Sequence, residues 1–259
     1  MVDNRYATAL VIGSVLSLLA TVYLSVAVGT QQWFQYSSKH VDKTGNGTSP
    51  RERLMADDWE EKNFSDLLLQ RNGTLGLWWR CIQLPNDPPA VNESDARAQP
   101  ADCAPQSGCP DPKMETFCVA FTLPQQFRAI PKAPGNGEPE EDLLRTYLWR
   151  CQFLLPLVSL ALVFLSALVG FCACLCRSFT PTLGVGVLHF LAGLCSLGAV
   201  CCFRTSVHLL GPGAEGSVGW SFYLALISFP LQMMAGALFL WAARSHRKSY
   251  TRIAAYRIA

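Results

Sequence analysis

Eleven cysteines and four Asn-x-Ser/Thr sequons are the residues of this chain whose types and spacing suit covalent chemistry. Cys81, Cys103, Cys109 and Cys118 share one polar segment with Asn46-Gly-Thr, Asn63-Phe-Ser, Asn72-Gly-Thr and Asn92-Glu-Ser. Four thiols in an oxidising compartment form two disulfides, with three connectivities open. Cys81 and Cys118 lie in two strand-like stretches, so a bridge between them would staple a sheet. Cys103 and Cys109 are near enough to close a small loop in "CAPQSGC". All four sequons fall in this one segment and none falls elsewhere, which marks it as a lumenal, glycosylated stretch. The chemistry expected is cross-linking and decoration rather than turnover.

The remaining cysteines read differently. Cys172, Cys174 and Cys176 end an apolar run, where juxtamembrane S-palmitoylation is the functional expectation. The plain alternative is cysteine as a small apolar helix residue. A zinc site would need better spacing and more ligands. Cys151, Cys195, Cys201 and Cys202 are expected to stay thiols. There is no P-loop, H-E-x-x-H or G-x-S-x-G. His40 and His208 are expected outside the membrane and His246 in the tail. His189 lies in an apolar run, so it is a functional candidate by position. A transport path needs more than one such group, so a neutral imidazole hydrogen-bonded between helices is the expectation. No enzyme activity, cofactor, metal or small-molecule substrate is read from these residues.

The elements that must position these groups are membrane helices. Half of the 259 residues are hydrophobic and 15% are charged. The charge deficit is local. No charged residue falls between Arg5 and Lys39, between Arg150 and Arg177, or between Arg177 and Arg204, and Glu215 alone interrupts Arg204 to Arg244. Each run is long enough to cross a ~30 Å hydrocarbon layer as helix. The expected spans are 7–30, 152–175, 183–203 and 220–243. The first is too long for the roughly 7–15-residue core of a signal peptide, so it is expected to be retained.

Orientation follows from charge. Arg244, Arg247, Lys248, Arg252 and Arg257 follow the last span without an acid, which places residues 244–259 in the cytoplasm. Four spans then put residues 1–6 and the turn 176–182 on the same side. The loops 31–151 and 204–219 lie outside. Between Gln31 and Trp149 seventeen acids face twelve basic residues, a net of −5. Nucleic acid is not an expected partner, because the few basic residues sit at lipid head groups. Membrane lipid is, at up to ~1 kcal/mol per tail residue near an anionic surface.

Local signals refine this layout. Thr180 and Pro181 read as N-cap and first position of the third helix. Pro139 followed by Glu140, Glu141 and Asp142 reads as the start of the second helix, well above the bilayer. Pro156 and Pro230 are expected to kink their helices. Gly184, Gly186, Gly193 and Gly198, with Ala192 and Ala199, allow close helix approach in lipid. Their expected use is packing within one bundle, and a face for a second protein is the alternative. Strands are expected near 75–84 and 115–123. A sheet resting on four helix ends needs an apolar underside. Trp78 and its neighbours are expected to fill the crevice between those ends or the interfacial zone, with Trp33 joining them. Gly76 is expected to allow close backbone approach.

Trp33, then Gly76-Leu77-Trp78, then Cys81, then Cys118 resembles the W…GLW…C…C signature of the claudin and peripheral-myelin-protein superfamily. Four spans, a long first loop and a short second loop agree with it. The resemblance implies a membrane α-helical fold: a left-handed four-helix transmembrane bundle with a small extracellular antiparallel β-sheet from the first loop, and Cys81–Cys118 as its disulfide. It implies a plasma-membrane protein of cell–cell contacts, acting in adhesion or junction organisation. The partner would be a second copy or a lateral membrane protein. Some relatives modulate channels or receptors in the same membrane, so an auxiliary subunit is the alternative. The first loop is longer than usual and carries the sequons, the second lacks the usual longer aromatic segment, and Arg257-Ile258-Ala259 does not match the PDZ-binding ending. A sealing strand is therefore not the expectation.

Overall fold

Four apolar runs of this length bury their backbone polar groups only as helices, because lipid offers no hydrogen bonds. The computed structural model describes residues 4–37, 72–85, 114–120, 139–176, 179–208 and 215–258. Its helices are α1 (Asn4–Gly29), α2 (Pro139–Cys176), α3 (Phe179–His208) and α4 (Trp220–Ile258). They contain four segments long and apolar enough to cross a membrane: Tyr6–Gly29, Thr146–Cys172, Pro181–His208 and Trp220–Ser245.

The start of α2 at Pro139 agrees with its sequence signals. α3 begins at Phe179 rather than at the Thr180–Pro181 cap. Pro181 falls in the first turn instead, where its missing N–H has no intrahelical partner to lose. Helix α4 continues through the basic residues after the apolar segment to Ile258. Both α2 and α4 remain helical across Pro156 and Pro230.

The bundle core mixes small and polar side chains with a few large apolar ones, Leu24, Phe153, Phe203, Phe222 and Phe239. Along α3 one buried stripe runs through Thr182, Val185, His189, Ala192, Ser196, Ala199, Phe203 and Ser206, with Gly186, Gly193 and Val200 buried beside it. Along α4 another runs through Ala225, Ser228, Gln232, Ala235, Phe239 and Ala242, with Ser221, Phe222, Gly236 and Ala243 also buried. Both series alternate steps of three and four, the repeat of knobs-into-holes packing. Leu18, Phe164, Phe171, Leu194 and Trp241 point outward. Lipid is as apolar as leucine, so large side chains gain nothing by turning inward. Small ones let backbones meet. A Cβ added at Gly236 would lie 3.0 Å from the Gly186 carbonyl oxygen on α3. Gly193 faces Met233 of α4, while Gly184 and Gly198 face Val169 and Leu155 of α2. The small-residue stripe of α3 is thus occupied by the chain's own helices.

Buried polar groups bridge the helices. His189 Nδ1 lies 2.9 Å from the Val185 carbonyl and 2.9 Å from Ser166 Oγ on α2, and Nε2 lies 2.7 Å from Ser17 Oγ on α1. A carbonyl only accepts, so the ring proton sits on Nδ1 and Ser17 donates to Nε2. One imidazole therefore joins three helices. Ser159 donates to the Ala192 carbonyl at 2.8 Å and lies 2.9 Å from Ser196 Oγ.

At one end of the bundle lies an antiparallel sheet of five strands: β1 (Phe34–Ser37), β2 (Gly73–Leu75), β3 (Trp79–Pro85), β4 (Met114–Ala120) and β5 (Glu215–Val218), in the order β4-β3-β2-β1-β5. The stretch 75–84, expected as one strand, is split: Leu75 ends β2, Gly76-Leu77-Trp78 turns, and β3 begins at Trp79. The sheet also extends beyond the first loop, because the segment before α4 pairs β5 with β1 from Phe34↔Val218 to Ser37↔Glu215. Its glycines had masked a strand.

The helix packing gives a ranked expectation. Gly236→Leu forces a side chain against a backbone carbonyl and should cost about 1–3 kcal/mol by overpacking. His189→Leu forfeits interhelical bonds that average only ~0.6 kcal/mol each in membranes. Thermal unfolding in detergent should show the larger loss for Gly236→Leu.

Candidate functional site

The residues singled out by sequence converge where the sheet meets the helix ends. Trp33 is fully buried there, 5.0 Å from the Phe203 ring of α3 and 6.3 Å from Phe222 of α4, centroid to centroid. Its Nε1–H donates to the Ala27 carbonyl at 2.6 Å. Ala27 is in the last turn of α1, where carbonyls lack intrahelical donors, so the indole caps that helix. Trp33 N–H donates to the Leu75 carbonyl at 3.1 Å, and Gly219 N–H donates to the Trp33 carbonyl at 2.9 Å. One residue thus ties α1, β2 and the lead-in to α4. Thr30 Oγ1 and Ser221 Oγ, 2.7 Å apart, add a side-chain bond between α1 and α4.

Gly76-Leu77-Trp78 is the β2–β3 turn. Gly76 N–H donates to the Trp79 carbonyl at 2.7 Å. A Cβ at Gly76 would lie 2.7 Å from Gln31 Cα and 2.8 Å from the Thr30 carbonyl, so the expected close approach is real. Leu77 is buried in the cluster around Trp33. Trp78 is partly buried and packs against the same cluster. The central crevice is filled by Trp33, and Trp78 also packs edge-on to Phe153 of α2, 4.4 Å between centroids. Trp79 remains 38% exposed.

The sheet has two chemically distinct faces. Phe34, Leu75, Ile82, Phe117, Val119 and Val218 share one, by the strand register. Phe34 belongs to the cluster with Leu24, Val200 and Phe203, so this face looks to the bundle. Gln35, Ser37, Thr74, Gln83, Thr116 and Ser217 share the other, which period-two alternation turns outward. Cys81 and Cys118 are directly opposite in the β3–β4 register and form a disulfide. The bridge closes a loop spanning 37 residues, worth about 3–4 kcal/mol by the chain-entropy argument. Arg80 places its guanidinium 4.6 Å from the centre of the Trp149 ring, joining β3 to the upper part of α2.

Other expected site residues fall as follows. Asn72 precedes β2 and is exposed. Cys172 is an exposed free thiol near the lower end of α2. Cys174 and Cys176 continue that helix, but their side chains lie outside the described set. Asn46, Asn63, Asn92, Cys103 and Cys109 lie outside the described residues. Cys151, Cys195, Cys201 and Cys202 are free thiols. Sequence reading missed Phe34, Phe203 and Phe222. The alternation Phe34-Gln35-Tyr36-Ser37 was a visible strand signal, whereas nothing in sequence pairs the two phenylalanines with Trp33.

Tyr36 shares the inner face. Its hydroxyl has no hydrogen-bond partner among the described residues. Burial pushes its phenol above the ordinary value, and the positive charge of Arg80 only partly opposes this. The folded state therefore holds this proton more tightly than the unfolded chain. Its contribution should be intact below about pH 10, the unfolded value, and fall as pH rises above it. Tyr36→Phe should unfold with a flatter alkaline limb and at neutral pH be as stable as wild type or more so, read by thermal scans across pH 8–11.

Substitutions at the junction should separate sharply. Trp33→Ala should cost about 3–5 kcal/mol, as for buried tryptophan in general. Trp79→Ala should stay within about 0.5 kcal/mol. Cys118→Ser should approach the disulfide value given above. Thermal stability of the purified variants orders the three.

A sequence profile of the PMP-22/EMP/MP20/claudin tight-junction family matches residues 18–241. That span runs from α1 to the apolar part of α4 and includes Trp33, the Gly76-Leu77-Trp78 turn and the Cys81–Cys118 bridge. With four membrane-crossing helices carrying a disulfide-pinned sheet, this chain belongs to the PMP-22/EMP/MP20/claudin family of multi-pass membrane proteins.

Proposed function

We propose that the protein lies in the plasma membrane with its sheet outside and both termini cytoplasmic, and that it contributes to cell–cell contact, adhesion or junction organisation without catalysis. The observation that carries this is the coupling of sheet to bundle through Trp33 and the Cys81–Cys118 bridge. A sheet tied to three helix-linked segments is held at a set height and angle above the bilayer. That suits presentation of a surface rather than turnover of a substrate. The orientation is supported by the disulfide, which forms in an oxidising compartment, and by the basic residues that end α4 at the other side.

An auxiliary-subunit role is the second reading. The small-residue stripe of α3 no longer argues for it, since those glycines face the chain's own helices. What favours it is a crevice of about 350 Å³ where α1 and α2 diverge, lined by Leu10, Ser14, Ser17, Ala167 and Thr182 among others. Among adjacent helices, α1 and α2 make the least contact.

Mixing cells decides between them. Tagged protein in cells without junctions should concentrate where two expressing cells meet, and less where an expressing cell meets a non-expressing one. Equal distribution at both contacts, together with recovery of a second membrane protein in mild detergent, would shift the assignment to the auxiliary role.

A further inference from the structure

We propose that Asn72 carries an N-linked glycan, and that this sugar covers the outward face of the sheet and keeps that face from docking closely on another protein. The inference rests on the outside placement of the sheet proposed above. It adds which face of the fold the modification occupies and what that does to contact.

Four sequons say only that the first loop is decorated. Asn72 is the sequon among the described residues, and it stands immediately before β2, in line with that strand. Tyr36↔Gly73↔Ile82 is a paired row, so Asn72 falls in the next one, between Ser37 and Gln83. Two contacts agree. Gln83 N–H donates to the Asn72 carbonyl at 2.9 Å, and Ser37 Oγ donates to Asn72 Oδ1 at 3.4 Å. The latter turns the amide oxygen toward β1 and Nδ2 away from it. Asn72 and Thr74 are two residues apart on an extended chain, so both project from the outward face. The side chain at the attachment point is exposed.

Gln35, Ser37, Gln83 and Thr116 are exposed around it on neighbouring strands. β2 is the third of five strands, so a sugar rooted there stands in the middle of the sheet's width. A glycan is bulky and solvating, and surface of this kind under one is covered rather than free to pair. Contact with other proteins then falls to the sheet's sides, the other loops and the helices.

The modification is a group transfer. A bond forms from Asn72 Nδ2 to the anomeric carbon of an oligosaccharide. That carbon's bond to a lipid diphosphate carrier breaks, the diphosphate leaves with its bonding electrons, and the amide proton passes to a base of the transferase. Nothing is oxidised or reduced.

The test uses the full chain in glycosylating cells. Variants are Asn72→Gln and Thr74→Ala, each with the other sequons intact; Thr74→Ala removes the acceptor site while keeping the asparagine. A Gln83→Cys reporter is labelled on intact cells with a membrane-impermeant polymer maleimide, above the background of the native thiols. Persistence of the Cys81–Cys118 bridge confirms folding. The expected result is one mobility step, removed by an amidase that cleaves N-glycans and absent from both variants. Labelling of Gln83→Cys should be several-fold faster once the step is lost. A step present at Asn72 with unchanged labelling would overturn the shielding. Sugar on other sequons with none on Asn72 would overturn the site itself. No sugar anywhere, with no labelling from outside, would instead overturn the orientation on which the inference rests.

Discussion

The burial of one indole at the ends of three helices governs this structure. Trp33 follows α1 almost immediately, and its N–H satisfies a carbonyl that the helix terminus leaves without a donor. At the edge of a bilayer such a carbonyl has little water to turn to, so the bond is worth more than at an aqueous helix end. The ring then fills the gap between Phe203 and Phe222. With the ring fixed, the backbone of Trp33 has one direction in which to leave, and both of its polar groups are taken by strands or lead-in segments. The register of β1 follows, then that of β2 and β5 on either side.

Two solvents shape the rest. Within the lipid segment many glycines, alanines and serines face inward beside a few large rings such as Phe203 and Phe239, while many leucines and valines face out. Packing and hydrogen bonds hold the helices there, because burial of apolar surface distinguishes nothing in lipid. Above the segment the ordinary rule returns. The sheet turns Phe34, Leu75 and Ile82 toward the helices and Gln35, Ser37 and Gln83 to water. The family's shared residues sit at the boundary, where a small sheet with only one apolar face would otherwise be marginal alone. Cross-linking β3 to β4 secures the strands farthest from the indole.

This arrangement bears on function through rigidity. A sheet anchored at its base holds its strands in a set orientation to the helices. The one buried imidazole is engaged at both nitrogens by groups of three different helices. It ties the three helices together.

How much of this could be read in advance depended on how far apart the interacting residues lie. Sequence alone determined the four spans, because a charge-free apolar run of that length has one stable form in a bilayer. It also determined the start of α2 at Pro139, through proline and the acids that follow. The disulfide was foreseen through the family's spacing, and on the residues alone its partners stayed open. Only the tertiary structure decided that Phe203 and Phe222 close around Trp33, that Glu215–Val218 completes the sheet, and that the α3 glycines face inward. Each depends on which segments meet across a long stretch of sequence, and hydropathy is blind to that. In the helices both the core-facing and the lipid-facing sides are apolar. In the sheet, a glycine-rich strand becomes a strand only when β1 lies beside it.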